Sequence, residues 1–426
     1  MRKLTQRVAG VVAAATAFAL VVTGCSADTS VEIDTPAQAE GSFSGDMLTE
    51  FEAAVDQAML ASGASGAIVG VWAPWSGSWV EGIGTQSPED STPVTTDMQF
   101  RIAALTRPMT CDVLYGVAAD GLVSLDDTVN TYVAGVPDLA NVTLEQLCES
   151  TSGIGSYTPQ LAGEFASNPD RVWNPRELAS YGLGKERTTE PGAAYVSSDA
   201  GYLLLGLALE RATSKSAATL IEEYVTEPLD LEATSLPAAS PAVPGPGTAL
   251  RGNLAVENEE GVLDCTNPLD VSELSSSIGF TDSGVVSNIN DLGRYTQALA
   301  ANSLIAPEFA EERFADPLAR STRGTSWYTT RGGALMAGSL VGYHGSIAGY
   351  ATAAYSDPET GLTVAVVLNS SLEGELPARN LAWELAALAS KAPAADGQTA
   401  PELGFPWTPE QFHAGDADQA SCAPEA

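Results

Sequence analysis

Apolar residues change their spacing along this chain, and each spacing predicts a different element. From Asp46 to Ala61 they fall at Met47, Phe51, Val55 and Met59. A repeat of four is one face of an α-helix, so this stretch predicts a helix. Ala67 to Trp72 and Trp79 to Gly84 are short apolar runs on either side of Pro74-Trp75-Ser76-Gly77, the pattern of a β-hairpin. Thr106 to Ala119 reads as a buried helix, with Pro108 in the first turn, where a missing N–H is tolerated. The middle, about 120–285, mixes loops with helical runs at Gly201–Arg211 and Ala217–Val225; residues 237–247 are a Pro/Ala/Gly loop. Helical spacing returns near Gly284 to Ala300. The last third predicts strands at Thr325–Thr330, Thr352–Tyr355 and Leu362–Asn369, the last two joined by a turn at Asp357–Gly361. Glu373 to Ala389 predicts a final helix. Strands at both ends with helices inserted between them predict an α/β (α+β) protein of two lobes. One is an antiparallel sheet flanked by terminal helices; the other, about 110–285, is mostly helical.

The two ends read differently. Arg2, Lys3 and Arg7 precede an apolar run, Val8 to Val22, that is short for a membrane span. Residues 1–24 therefore read as a secretory signal peptide. The following Val22-Thr23-Gly24-Cys25 resembles the bacterial lipobox. That resemblance implies a lipidated (palmitate-type) Cys25 and a lipoprotein held on the extracytoplasmic face of the cell membrane. Residues 25–45 lack apolar periodicity and read as a flexible tether. Residues 46–391 form the folded domain, and 392–426 read as an acidic, Pro-rich surface tail.

Charge narrows the partners. The formal net charge is −35, which excludes nucleic acid as a natural ligand. Two histidines, His344 and His413, do not make a zinc site, and no carboxylate run has metal-ligand spacing. No metal or cofactor is expected. Beside Cys25 the chain has Cys111, Cys148, Cys265 and Cys422. An even set in an exported protein reads as disulfides. Three pairings are open. Cys111 lies on the helix that starts at Thr106 and Cys148 on the next helical stretch, which favours Cys111–Cys148 and leaves Cys265–Cys422.

Residues 100–110 read Phe-Arg-Ile-Ala-Ala-Leu-Thr-Arg-Pro-Met-Thr. They resemble the Phe-Arg-Ile-Gly-Ser-x-x-Lys segment of the serine β-lactamase and penicillin-binding-protein superfamily. Further landmarks follow in order. Gly121-Leu-Val-Ser-Leu-Asp-Asp127 resembles the segment after the nucleophile helix. Val142 to Gly153 resembles Thr-x-x-x-Leu-Leu-x-His-Thr-Ser-Gly. Pro191-Gly192 through Ser197-Ser-Asp-Ala-Gly-Tyr202 resembles Pro-Gly…Tyr-Ser-Asn-x-Gly-Tyr. Gly284 to Leu292 resembles the helix start before the final sheet, and Tyr343-His-Gly-Ser346 resembles Gly-His-x-Gly. The resemblance covers about 46–390. It implies a β-lactamase/transpeptidase fold with a cleft between its lobes, close to class C β-lactamases, D-alanyl-D-alanine carboxypeptidases and related esterases.

The same motifs lack their reactive atoms. Ala104 stands at the acylated Ser and Arg107 at the Lys, and arginine stays protonated. Ser197 stands at the catalytic Tyr, Asp199 at the Asn, Ser150 at a supporting His and Ser346 at a Gly; His344 alone keeps its motif residue. No Lys or Arg has a Ser three positions before it. These residues predict a pseudoenzyme whose cleft, formed by Ala104, Arg107, Ser197, Asp199, His344, Ser346 and Ile347, binds a cell-wall peptide or a protein partner. Backbone N–H groups of Ala104 and Ile347 stand where the family has its oxyanion hole. An Arg107–Asp199 salt bridge is expected across the cleft floor. The alternative is an active hydrolase using Thr106, Ser197 or Ser198, which would need a base.

Overall fold

The computed structural model describes residues 30–240, 247–257, 263–320 and 324–417. The expected signal peptide, Cys25 and Cys422 lie outside the described residues.

Helix α1 (Gly45–Ser62) starts where the Ser44 side chain accepts from the Met47 amide and stops at Gly63 in the left-handed region (φ 65°). Of its repeat of four, Phe51 and Val55 are buried and Met47 and Met59 half-buried, with Ala54 and Ala58 buried on the same face. The hairpin β1 (Gly66–Ala73) and β2 (Gly77–Gly84) follows as the alternation predicts. After β3 (Phe100–Arg101) and α2 (Thr106–Ala119), the chain enters the helical lobe. That lobe holds α3 (Leu144–Cys148), α4 (Thr158–Ser167), α5 (Pro175–Leu183), α6 (Asp199–Thr213) and α7 (Ala217–Ile221). A small hairpin, β4 (Asn253–Glu257) and β5 (Leu263–Asp270), precedes α8 (Phe280–Ser283), β6 (Val286–Ser287), α9 (Ile289–Ala300) and α10 (Pro307–Ala310). The chain then returns to the sheet with β7 (Leu318–Ala319), β8 (Tyr328–Arg331), β9 (Ala334–Ala337), β10 (Leu340–Ile347), β11 (Tyr350–Ser356) and β12 (Thr363–Leu368). It ends in α11 (Leu376–Ala389) and α12 (Pro409–Ala417).

The main sheet is antiparallel, in the order β2-β1-β12-β11-β10-β9-β8-β7. Strand β1 pairs with β12, so an early strand and the last strand lie side by side, second and third from the β2 edge. Every residue of β11 and β12 is buried, and both strands touch α9 as well as α11, which therefore cover opposite faces. The two-lobed α/β architecture is the predicted one. Strands β9 and β10 are not foreseen: Gly332 to Gly345 alternates small residues with few β-branched ones, which hides the period of two.

Cys111 and Cys148 are bonded, with Cα atoms 5.5 Å apart, and tie α2 to α3. Gly333, at the β8–β9 turn with φ 80°, lies against this disulfide; a Cβ there would sit 2.4 Å from the Cys111 Sγ. Cys265 is also disulfide-bonded, and its expected partner is among the undescribed residues.

Two expectations about the ends are revised. The described part of the tether packs on the body: the Val31 amide donates to the Pro228 carbonyl (2.7 Å), the Ala39 amide to Pro74 (2.9 Å), and Phe43 is buried against Phe51. The stretch after 392 is not a loose tail. Trp407 is buried, its ring 4.9 Å from Trp327 and 5.5 Å from Trp383, and its Nε1 donates to the Trp383 carbonyl (3.0 Å). Isolated aromatics among Pro and acidic residues carry no period, so burial there depends on the surface they meet. Trp407→Ala should destabilise the whole fold by about 3–5 kcal/mol in denaturant unfolding; an unchanged midpoint would contradict docking of this segment.

Candidate functional site

The site is built where α2 begins against β10. Ala103 holds a left-handed φ of 51°, uncommon for a residue with a Cβ, and turns residue 104 toward the cleft. Gly345 of β10 lies directly against it; a Cβ on that glycine would stand 2.5 Å from the Ala104 Cβ and 2.8 Å from the Ala104 nitrogen. Beside this contact opens a cavity of about 400 Å³ between β10 and the helical lobe. Ala104, Arg107, Ser197, Asp199, Ser346 and Ile347 all reach its wall, so these predicted residues do converge.

Arg107 is buried at the second position of α2. Its Nε donates to the Asp282 Oδ1 at 2.8 Å, and its Nη1 donates to the Ser197 Oγ (2.9 Å) and the Tyr343 hydroxyl (3.2 Å). Its guanidinium also stands 5.0 Å over the Tyr202 ring. The salt bridge is therefore to Asp282 of α8 and not to Asp199. Asp199 is already committed: its carboxylate accepts from the Tyr157 (2.7 Å) and Thr158 (3.0 Å) amides at the start of α4, and from Ala200. A carboxylate at a helix start is held by amides that have no helical partner. Burial opposes the charge on Arg107, but Asp282 and the phenol oxygens of Tyr343, Tyr195 and Tyr202 hold it protonated far above the usual range. Burial likewise raises the Asp282 carboxyl, and Arg107 pulls against that. Sequence reasoning missed Asp282. The available signal was that a buried Arg107 requires an anion, and Asp282 stands two residues before the Gly284 segment already singled out.

The third motif is shifted by one residue. Successive side chains of a strand point to opposite faces. Tyr343 faces the cleft and Arg107. His344 borders the cavity but turns its ring toward α11, edge-on to Trp383. Its Nδ1 lies 2.6 Å from the Tyr355 hydroxyl and its Nε2 3.3 Å from the Tyr328 hydroxyl. Burial, with the nearby Arg379, Arg320 and Arg107, pushes its pKa well below the ordinary value and keeps it neutral. The expectation that His344 serves the cleft is corrected: it is part of the aromatic packing behind the sheet.

Two further residues complete the cleft. Tyr195 presents its hydroxyl 3.4 Å from that of Tyr343, and the Arg320 guanidinium stacks 4.0 Å from its ring centre. Tyr195 stands two positions before the residue aligned with the catalytic Tyr, so motif matching passes over it. Arg320 follows the two-residue edge strand β7, where no motif lies.

Of the hydroxyls considered as substitute nucleophiles, two have structural duties. Thr106 is fully buried; its Oγ1 donates to the Ala103 carbonyl (2.9 Å) and accepts from the Val285 amide (3.2 Å). Ser198 caps α6, accepting from the Gly201 amide (3.0 Å) and donating to the Gly155 carbonyl (3.1 Å). Ser197 alone reaches the cavity. Ser150 is buried beside Tyr202 with φ 55° and does not reach it. Among the described residues no group of three or more His, Cys, Asp or Glu is arranged to hold a metal.

Residues 51–389 match the Beta-lactamase family. A 220-residue stretch is 30% identical to the D-alanyl-D-alanine-carboxypeptidase/endopeptidase AmpH of Escherichia coli, covering 50% of this chain and 52% of that protein. The esterase EstB of Burkholderia gladioli is 27% identical over 278 residues, 57% of this chain and 68% of that enzyme. Among solved structures, a D-stereospecific amidohydrolase from Streptomyces superposes with a TM-score of 0.64 at 24% identity, over 75% of this chain and 94% of that one. The octameric penicillin-binding protein homologue of Pyrococcus abyssi gives 0.65 at 22%, over 81% and 79%. These two solved structures establish the likeness of fold.

Burial pushes the Tyr195 phenol up, but Arg320, Arg107 and hydrogen bonds from Tyr343 and Ser197 outweigh it and leave the pKa below the usual value. Tyr115, Tyr328 and Tyr350 are each pushed up to about 12. In an ultraviolet titration of tyrosinate the first step should belong to Tyr195 and vanish in Tyr195→Phe; its survival in that variant would contradict the assignment. Because the folded phenol ionises at lower pH than the unfolded one, its ionised form favours folding. That contribution is complete above the ordinary phenol value near ~10 and is lost as pH falls through the folded value.

Proposed function

This chain belongs to the Beta-lactamase family, and we propose that it is a member that binds ligand in its cleft without being acylated by it. The observation that carries this reading is the pairing of Ala104 with an Arg107 locked onto Asp282. Acylation needs an oxygen at position 104, and none exists there. Proton removal needs a base one turn further on, and a guanidinium held by a carboxylate offers none. Ser197 sits in the cavity, but the group hydrogen-bonded to its oxygen is the Arg107 guanidinium, which cannot take its proton.

The ligand proposed is a cell-wall peptide or a group presented by a protein partner. The likeness to a D-alanyl-D-alanine carboxypeptidase over half its length makes a peptide of that kind the first candidate. The cavity near Ala104, Ser346 and Ile347 is where its carbonyl would be received by backbone N–H groups, among them that of Ala104. The reading extends to location: the Val22-Thr23-Gly24-Cys25 ending supports a lipoprotein anchored through Cys25 outside the membrane. No helix among the described residues is long and apolar enough to cross a membrane.

Incubation with a labelled penicillin and intact-mass spectrometry tests the central point. The expected result is no covalent adduct at saturating reagent. A stoichiometric adduct, mapped to Ser197 or any other cleft residue, would replace this reading with that of an active hydrolase. Ala104→Ser alone should stay unreactive, because Arg107 remains and removing the base from a serine hydrolase costs orders of magnitude in rate.

A further inference from the structure

Cations are scarce in this chain, 19 Lys and Arg against 54 Asp and Glu, so an exposed one readily finds a carboxylate. Arg171 takes Glu177 and Lys215 takes Glu223, each at 2.5 Å. Arg176 and Arg211 are exposed, and neither makes an ion pair among the described residues. They belong to different helices: Arg176 stands at the start of α5 and Arg211 in the last turn of α6. The fold nevertheless brings both to one surface hollow of about 490 Å³, walled on a third side by segment 130–134. No residue of this hollow lines the cleft cavity.

The polar groups of the hollow are left to donate. Arg176 Nη1 donates to the Ala134 carbonyl (3.2 Å), which anchors the guanidinium and leaves its other N–H groups unused. The Arg211 guanidinium makes no hydrogen bond among the described residues. The Asn130 carbonyl oxygen accepts from the Thr128 hydroxyl (2.7 Å), so its amide nitrogen is the end that remains to donate. Glu210 is the one carboxylate on the wall; it accepts from the Ala217 amide at the start of α7 (2.9 Å) and pairs with neither arginine. The Tyr132 hydroxyl donates to Asp127 (2.6 Å), which leaves its ring, with Leu207, as the apolar part of the wall.

We propose that this hollow binds the phosphate group of a small ligand. Two guanidinium forks and a carboxamide offer more N–H groups than the two oxygens of a carboxylate take up, and the three oxygens of a phosphate monoester match them better. The hollow is roomier than a bare oxyanion needs, so an organic body attached to the phosphate lies against Leu207 and the Tyr132 ring. Free phosphate and a phosphate monoester share this chemistry. Binding is non-covalent; no bond is made or broken. The site is separate from the cleft and does not depend on what the cleft binds.

Isothermal titration of the purified mature protein at fixed ionic strength tests this with phenyl phosphate, inorganic phosphate and phenylacetate. Phenyl phosphate should bind at one site. Inorganic phosphate binding as tightly identifies the free ion as the ligand; weaker binding shows that the organic body contributes. Phenylacetate, with a similar ring and one carboxylate, should bind about tenfold more weakly than phenyl phosphate. Arg211→Gln and Arg176→Gln should each weaken phenyl phosphate by about tenfold or more, the loss of charge-assisted hydrogen bonds. Arg187→Gln, at a cation outside the hollow, should leave it unchanged. Arg211 touches nothing else among the described residues, so its variant keeps the test sound if Arg176→Gln loosens the Ala134 contact; melting curves check both. Absence of saturable phosphate binding overturns the proposal. So does phenylacetate binding as tightly as phenyl phosphate, binding that survives in a folded Arg211→Gln, or an equal loss in Arg187→Gln.

Discussion

A guanidinium buried in the first turn of the helix below the cleft must be met by a carboxylate, and the Arg107–Asp282 pair at 2.8 Å meets it. Much of the site follows from that contact. Once Asp282 neutralises Arg107, the remaining donors of the guanidinium are free to take the Ser197 and Tyr343 oxygens. Tyr343 in turn lies next to Tyr195, and Tyr195 carries Arg320 on its ring. The chain of contacts runs from α8 through α2 and the loop before α6 to the sheet edge. A buried ion pair often adds little net stability against an apolar replacement, but half of one is expensive. The two residues therefore constrain one another more than either supports the fold.

On the proposed reading, position 104 keeps the backbone geometry of the family's acylation site and carries an alanine in place of the serine. Ala103 still takes a left-handed φ, and Gly345 still allows β10 to come within contact of residue 104. Such backbone strain costs of order 1–3 kcal/mol and persists only when the surroundings enforce it. Here they hold the backbone of residue 104 at the wall of an open cavity. That arrangement suits recognition of a carbonyl or carboxylate, while the side chains that would transfer a proton are an alanine, an arginine and a short serine.

Long periodic segments were readable from the sequence: α1, the β1–β2 hairpin, α2, β11, β12 and α11 follow their apolar spacing. The Cys111–Cys148 bond followed from the order of helices. Contacts between distant segments were not readable. Asp282 lies outside any reactive motif, and its role comes only from the approach of α8 to α2. His344 matched a motif letter, but the strand register turns it away and presents Tyr343 instead. Tyr195 and Arg320 meet by stacking across more than a hundred residues of chain, which no local pattern records. The terminal segments were read as loose because their aromatics are sparse; they are held by grooves that the rest of the fold creates.

The most direct test of a cleft rebuilt around a buried ion pair is a double-mutant cycle on Arg107 and Asp282, read by denaturant unfolding. Asp282→Ala should cost about 3–5 kcal/mol, since it strands a buried guanidinium. Arg107→Met should also destabilise, and the double variant should lose less than the sum by about 1–3 kcal/mol. Strict additivity of the two single changes would contradict the account.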